Sequence, residues 1–213
     1  TVEELMELAV QGNSKAQYEL GNLYATGDGV LKDDVQASRW FHKAAEQGNI
    51  DAQVMLAIEH TTGIGEKKDD LQATKWYLKA AEQGDVPSQV ELVRRYHNGT
   101  GVRKDDFEAA KWCRKAAEQG DAIAQYMLAV MYDQGMGVDK TPTLALQWFH
   151  KAANQGDSDA QCELGRVYKY GEGVPQDLSQ AVRWFRKSAE QGDQLAQYEL
   201  GRMYERGEGV PQD

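Results

Sequence analysis

The sequence predicts an all-α fold in which helical hairpins stack into a solenoid. Six glycines stand 36 residues apart, at Gly12, Gly48, Gly84, Gly120, Gly156 and Gly192. All five tryptophans lie 28 residues after one of these glycines, at Trp40, Trp76, Trp112, Trp148 and Trp184. A short phrase, AAEQGN at 44–49, returns with one or two changes at 80, 116, 152 and 188. Periods of about 20 to 50 residues are typical of stacked supersecondary units.

These intervals divide residues 1–213 into a single repeat array. A leading helix is predicted at 1–11, where Thr1 and Glu4 have the spacing of a capping box. Full repeats follow at 12–47, 48–83, 84–119, 120–155 and 156–191, with a partial sixth repeat at 192–213. Because residues 207–213 spell the same GEGVPQD as residues 171–177, we expect the natural chain to continue.

The first half of each repeat predicts an amphipathic helix, helix A. We number repeat positions from the glycine, so that positions 4, 8 and 12 hold Ala16, Leu20 and Tyr24 in the first repeat. This spacing places one apolar stripe along a helix. An Asn or Asp at position 1 can cap the first turn.

Helix A ends in a Gly-x-Gly motif, such as Gly27 and Gly29. Glycines in this pattern can cradle a phosphate, but here they follow a helix rather than a strand, and no Gly-Lys-Ser or Gly-Lys-Thr is present. The motif therefore predicts a tight turn that needs positive φ values.

A second helix, helix B, follows the turn in every complete repeat. Asp33 and Gln36 have capping-box spacing, and the fourth repeat instead places Thr141 before Pro142, which suits an N-cap and the first helical position. The phrase AAEQG is its last turn: the alanines allow a neighbouring helix to approach closely, the Glu and Gln are expected to face water, and the glycine ends the helix.

Composition excludes some classes of partner. The 34 acidic and 24 basic residues give a net charge of −10, which argues against nucleic acid as a partner because phosphates require a basic surface. No run of about 18 apolar residues is present to span a membrane. The chain starts at Thr1 without a recognisable signal peptide, so export stays open.

Residues 160–192, AQCELGRVYKYGEGVPQDLSQAVRWFRKSAEQG, resemble the Sel1-like repeat, a relative of the tetratricopeptide repeat, and the resemblance extends over nearly the whole chain. It implies a right-handed superhelix whose A helices line the concave side, and an adaptor that binds a protein or peptide partner. Departures gather in the second and third repeats, where Ala57 and Val93 replace a glycine, Glu66 replaces a valine, and Ser88 after Pro87 interrupts the start of helix A. They are either drift or a specialised site.

Known catalytic motifs are missing from the sequence. It contains no His-Glu-x-x-His, Cys-x-x-Cys, Gly-x-Ser-x-Gly or Ser-x-x-Lys, so no enzyme activity, catalytic residue or cofactor is predicted. His42 and His150 share position 30 and are expected to face solvent, while His60 and His97 lack a third ligand for a metal.

Cys113 and Cys162 are two repeats apart and are expected to be unpaired buried thiols. Unpaired thiols favour a reducing compartment, whereas the habit of the resembled family in bacteria favours export.

By analogy with tetratricopeptide grooves, positions 3, 6, 10, 13 and 14 of helix A should face a partner. The candidate partner-binding residues are Tyr18, Asn22, Ile58, Arg94, His97, Tyr126, Val130, Arg166, Lys169, Tyr170, Tyr198, Arg202 and Arg206. Arg94, Arg166 and Arg202 are predicted to form a ladder for an extended segment that bears carboxylates. The alternative is that these arginines form salt bridges between repeats and bind no partner. A second hypothesis for the function is a structural spacer that binds no ligand in a groove. A third hypothesis is a hydrolase-type enzyme.

The sequence also leads to three expectations about side-chain packing. The tryptophans should be wedges between helices A and B. Glu59 and Arg95, which occupy an apolar position 11 in adjacent repeats, should face each other as an ion pair. Residues 193–213 should self-associate or fray, because Leu200, Met203 and Tyr204 would lack their cover.

Overall fold

The computed structural model describes residues 1–209, and over that range it contains twelve α-helices and no strand. The all-α prediction is confirmed. The helices are α1 (Val2–Val10), α2 (Ser14–Thr26), α3 (Asp34–Glu46), α4 (Ile50–Thr62), α5 (Asp70–Glu82), α6 (Val86–Asn98), α7 (Asp106–Glu118), α8 (Ala122–Gln134), α9 (Pro142–Asn154), α10 (Ser158–Tyr170), α11 (Leu178–Glu190) and α12 (Gln194–Arg206).

The helices form two compact units. The first unit, Thr1–Asp105, contains α1 to α6, and the second, which begins at Asp106, contains α7 to α12. Within each unit every helix packs against its neighbours in sequence. The even-numbered helices are the A helices of the repeat and the odd-numbered helices are the B helices. Because consecutive helices are separated by only a few residues and pack against each other, each unit is built from local contacts.

Helix ends follow the predicted chemistry with two corrections. Thr1 and Glu4 form the capping box of α1, and Asn13 accepts a hydrogen bond from the backbone N–H of Ala16. Thr141 occupies the N-cap of α9 without a side-chain cap, because its hydroxyl donates to the carbonyl of Asp139 at 3.0 Å. Pro87 does not interrupt α6, since it lies in the first turn, where a helix tolerates proline.

The tryptophans are all at least partly buried, which agrees with the expectation that they pack as wedges rather than project into solvent. Trp76, Trp112 and Trp184 are buried, and Trp40 and Trp148 are half-buried. In every case the lysine three residues later lies over the ring, with its ammonium 3.7 to 4.3 Å from the ring centroid. The aliphatic stem and the charge of one lysine thus cover the outer face of each tryptophan.

Close approach of helices A and B explains one glycine of the repeat. A Cβ atom at Gly21 would lie 2.5 Å from the Phe41 ring, and one at Gly165 would lie 2.5 Å from Phe185. Both phenylalanines are fully buried. Only a residue without a side chain therefore leaves room for the aromatic ring of helix B at these two places.

Neutral amides link successive helices, and the Gln of AAEQG, although it is exposed as expected, takes part in these links. Gln17 donates to the carbonyl of Ala9 at 2.9 Å, and its own oxygen accepts from Gln47 at 2.7 Å. The same Gln-to-Gln bond recurs at Gln53/Gln83, Gln125/Gln155 and Gln161/Gln191. A buried amide oxygen needs a donor, and the glutamine that ends helix B supplies it.

Candidate functional site

The predicted binding residues of the second unit lie on its three A helices. α8 carries Tyr126 and Val130, both half-buried, and α10 carries Arg166, Lys169 and Tyr170. α12 carries Tyr198, Arg202 and Arg206. Tyr170 and Tyr198 are more than half exposed. These side chains differ in how far they are available to a partner, and their contacts decide which of them can bind.

A small cleft brings four of these residues together. Its volume is about 250 Å³. It is lined by Lys169, Tyr170, Gln176, Leu178, Arg202, Arg206 and Glu208. Gln176 fixes the turn beside it by donating to the carbonyl of Lys169 at 2.7 Å. Sequence reasoning anticipated the four cleft residues on helices α10 and α12, but it missed Gln176, Leu178 and Glu208, which the chain contributes from outside helix A.

Arg202 is a half-buried cation of the cleft that lies over a tyrosine ring. Its guanidinium carbon lies 5.6 Å from the centroid of the exposed Tyr198 ring, and its Nη1 lies 3.5 Å from the Tyr198 hydroxyl. Within residues 1–209, no carboxylate oxygen is found within 4.0 Å of Arg202. Arg206, by contrast, lies 3.8 Å from the carboxylate of Glu208.

Lys169 has a structural role that its sequence position did not reveal. It is buried, and its ammonium forms an ion pair with Glu199 that joins α10 to α12. The pair is a salt bridge between repeats, which is the alternative to partner binding at this position. Because the ammonium is already paired and out of solvent, Lys169 supports the cleft floor rather than offering a free charge.

Arg166 is also paired, but at the surface. Its guanidinium contacts Glu163 at 2.9 Å one turn earlier on α10. Burial raises the pKa of the Glu163 carboxyl, although Arg166 acts in the opposite direction, and Glu163 in turn raises the pKa of Arg166. A partner carboxylate would therefore have to compete with Glu163 for Arg166, whereas no carboxylate among residues 1–209 competes in this way for Arg202.

Tyr126 serves mainly as packing. Its ring is tilted against Phe149 with the centroids 6.0 Å apart. Burial, followed by the charges of Glu163, Asp159 and Asp157, raises the pKa of its hydroxyl to about 12. The phenol thus stays protonated and can donate a hydrogen bond to an incoming acceptor.

The first unit holds the other five predicted residues. Tyr18 is half-buried and tilted against Phe41 at 5.9 Å, and Asn22 and His97 are half-buried. Ile58 is exposed, and Arg94 lies 3.7 Å from Glu91. The other two arginines of the predicted ladder, Arg166 and Arg202, belong to the second unit.

The thiols match expectation and the histidines do not. Cys113 and Cys162 are free and buried, and burial raises the pKa of each to about 12. His42 and His150 are only partly exposed: His42 contacts Glu66 at 3.2 Å, and His150 contacts the Tyr168 hydroxyl at 3.1 Å. Each also meets a tryptophan edge-on, because position 30 lies beside the tryptophan of the next repeat.

The ion pair expected between Glu59 and Arg95 is not formed. Both side chains are buried, but Glu59 accepts a 2.6 Å hydrogen bond from Ser38. Arg95 donates to Thr74 at 3.1 Å, to Thr61 at 2.8 Å and to Glu91 at 3.2 Å. Position 11 of one repeat meets position 26 of the repeat before it. The sequence signal that was missed is that position 26 turns polar, to Ser38 and Thr74, directly ahead of the two polar residues at position 11.

No group of three or more His, Cys, Asp or Glu side chains is arranged to hold a metal ion within residues 1–209. None of the helices described there has both the length and the apolar character needed to cross a membrane.

A fold of stacked helical hairpins with an exposed, partly basic helix face defines an α-solenoid repeat protein. The family model of the Sel1 repeat matches residues 14–49, 50–85, 88–121, 122–157, 158–193 and 194–213. The chain belongs to the Sel1 repeat family. Proteins of this family generally mediate protein–protein interactions and are typically non-catalytic.

Solved structures support this membership. A protective antigen with an SLR fold from uropathogenic Escherichia coli strains is 41% identical over 100% of this chain, with a TM-score of 0.90. A Sel1 repeat protein from Oxalobacter formigenes is 38% identical over 95% of this chain and 81% of its own, with a TM-score of 0.76. This chain spans 46% of the Escherichia coli protein. A comparison with curated protein sequences found no match.

Proposed function

We propose that this protein is a non-enzymatic scaffold that binds an extended, acidic segment of a partner protein along the A helices of its second unit. The observation that supports the proposal is Arg202, a cation stacked on the exposed Tyr198 ring at the edge of a cleft. An arginine held in this way presents its donors to a carboxylate with little further loss of conformational entropy.

The surroundings of Arg202 fit an extended peptide better than a compact ligand. Tyr170 and Tyr198 expose rings that can pack on the apolar side chains of a segment, and Leu178 adds an apolar wall. Aromatic and arginine residues carry much of the energy at protein interfaces. Since the protein has a net charge of −10, an acidic partner would be repelled elsewhere and directed towards this half-buried cation at the cleft.

The first prediction tests this face by charge reversal. The partner is recovered by cross-linking and affinity capture from the source cell, and the affinity of the purified pair is then measured by calorimetry. We expect Arg202→Glu, alone and with Arg166→Glu, to weaken binding by at least tenfold, because a repulsive carboxylate replaces the contact. Wild-type binding should also weaken as salt rises.

A matched control separates this effect from a change in overall charge. Arg183→Glu reverses an exposed arginine on α11, a B helix outside the cleft. It should leave the affinity within about twofold of wild type, because the substituted residue lies outside the cleft. The variant should also remain folded, since exposed substitutions usually change stability by only about 0.5 kcal/mol. If Arg202→Glu remains folded and binds as tightly as wild type, the proposed face is wrong.

The spacer function predicts a different result. A spacer needs the repeat stack but no groove ligand, so none of the three variants would alter an interaction with a defined segment. Self-association through residues 193–213 also stays a prediction, and its last four residues lie outside the described part of the chain. Met203 is nonetheless fully buried, packing with Val182 and Leu200, so the expectation that it lacks cover is wrong.

A further inference from the structure

Three polar residues replace apolar ones at a single place in the first unit. Ser38 lies on α3, Glu59 on α4, and Glu66 in the turn that follows α4. Equivalent positions in other repeats hold pairs such as Ala110 with Met131 or Val182 with Met203, and a valine instead of Glu66. Glu66, one of the departures from the repeat pattern, therefore meets Ser38, Glu59 and His42 in one cluster.

The hydrogen bonds of the cluster are best satisfied when it carries one added proton. The Ser38 hydroxyl lies 2.6 Å from Oε2 of Glu59 and 3.1 Å from Oε1 of Glu66. A hydroxyl has one hydrogen, so it cannot donate fully to two ionised carboxylates at once. If Glu59 is protonated, it can donate to Ser38, Ser38 can donate to Glu66, and His42 Nε2 at 3.2 Å can donate to the same Glu66 oxygen. Every contact is then satisfied.

We propose that Ser38, Glu59, Glu66 and His42 form a proton-operated latch that holds α3 against α4 while Glu59 carries a proton and loosens this junction when the proton leaves. The proposal concerns regulation of the first unit and does not depend on the binding face proposed above. Glu66 and His42 are each about one-third exposed, at 33% and 35%, so they give the buried Glu59 carboxyl a route to solvent protons.

Electrostatics around Glu59 favours the protonated form. Burial is the main cause that raises the pKa of its carboxyl to about 7, and the charges of Glu66 and Asp34 add to the effect, while the Ser38 hydrogen bond opposes it. Asp34 on α3 lies 3.6 Å from Lys32, which therefore acts on Asp34 rather than on Glu59. From α5, the side chain that meets the cluster is Trp76, edge-on to His42.

The turn after α4 leaves an ionised Glu59 little freedom to move. A Cβ atom at Gly65 would lie 2.9 Å from Oε1 of Glu59 and 3.0 Å from the carbonyl oxygen of Asp34. The turn thus closes over the carboxyl, and hydrating the charge requires the turn or the α3–α4 contact to open. A group protonated in the closed state and ionised in the open state makes that opening depend on pH.

Hydrogen exchange measured by mass spectrometry tests the latch. Protection factors, corrected for intrinsic exchange, should fall by roughly tenfold or more in peptides of α3, α4 and their turn between pH 5.5 and pH 8.5, because each pH unit between the two pKa values changes the opening equilibrium about tenfold. Carbon-13 NMR of labelled glutamate should place the Glu59 midpoint well above that of an exposed glutamate.

Three variants decide between outcomes. Glu59→Gln should keep the junction protected at both pH values, because the amide reproduces the protonated form. Ser38→Ala with Glu59→Met restores the apolar pair seen at Ala110 and Met131, and gives a pH-independent junction even if the amide variant folds poorly. Glu82→Gln, an exposed site on α5, should behave as wild type. A Glu59 midpoint near 4.5, or an equal loss of protection in wild type and in the double variant, would overturn the latch.

Discussion

Single tryptophans carry a measurable share of the packing, and Trp112 is the best placed for a test. Its ring is buried at 4% exposure, with Lys115 above it. We predict that Trp112→Ala lowers the free energy of unfolding by about 3 to 5 kcal/mol, the usual cost of deleting a large buried aromatic side chain. Urea denaturation monitored by circular dichroism measures it.

The half-buried tryptophan of the next repeat supplies the comparison. Trp148→Ala should cost clearly less than Trp112→Ala, because less apolar surface returns to water when a half-exposed ring is removed. Equal losses from the two variants would mean that burial does not set the contribution of the ring.

The two thiols of the second unit should be unreactive until their surroundings open. Burial raises the pKa of Cys113 and Cys162 to about 12, so the thiolate is scarce at neutral pH and the sulfur is out of reach. We predict that a thiol reagent at pH 8 labels both cysteines slowly in the native protein and rapidly in denaturant. Rapid native labelling of Cys113 would contradict its burial on α7.

At the scale of the helices, a polar side chain is tolerated inside a unit when the residue that it contacts on a neighbouring helix is also polar. Arg95 on α6 bonds to Thr74 on α5 and Thr61 on α4, and so connects three helices. We predict that Arg95→Met alone destabilises the protein by about 1 to 3 kcal/mol, the range for losing hydrogen bonds to a charged group. Adding Thr74→Ala should recover much of the loss, because the pair then matches Met131 and Ala110.

The control for this double-mutant cycle lies on the same helix as Arg95. Arg94→Met changes an arginine whose side chain is 61% exposed and should alter stability by no more than about 0.5 kcal/mol. Unfolding in urea of the wild type, the two single variants and the double variant gives the coupling energy between residues 74 and 95. A coupling energy near zero would show that the polar pair of Arg95 and Thr74 and the apolar pair of Met and Ala are not alternative ways to pack this site.

At the scale of the whole molecule, regularity decided what the sequence could predict. The 36-residue interval predicted the order of the helices, their caps and the tryptophan wedges, because each depends on contacts that recur in every repeat. Glu59 and Arg95 were misassigned because both break the repeat pattern, and their true partners lie one helix back rather than one repeat away. Lys169 was misread for a related reason: helix position indicates a face, but not whether Glu199 already occupies it.

The glutamine bonds limit how an array of this kind can change in length. Each glutamine such as Gln17 bonds to a carbonyl eight residues before it and accepts from a glutamine thirty residues after it. One residue added or lost inside a helix would put both partners out of reach, whereas a whole repeat added or lost would leave every pair intact. Such an array can therefore grow or shrink by duplication or deletion of entire repeats, with each new boundary joined by the same neutral bonds as the old one.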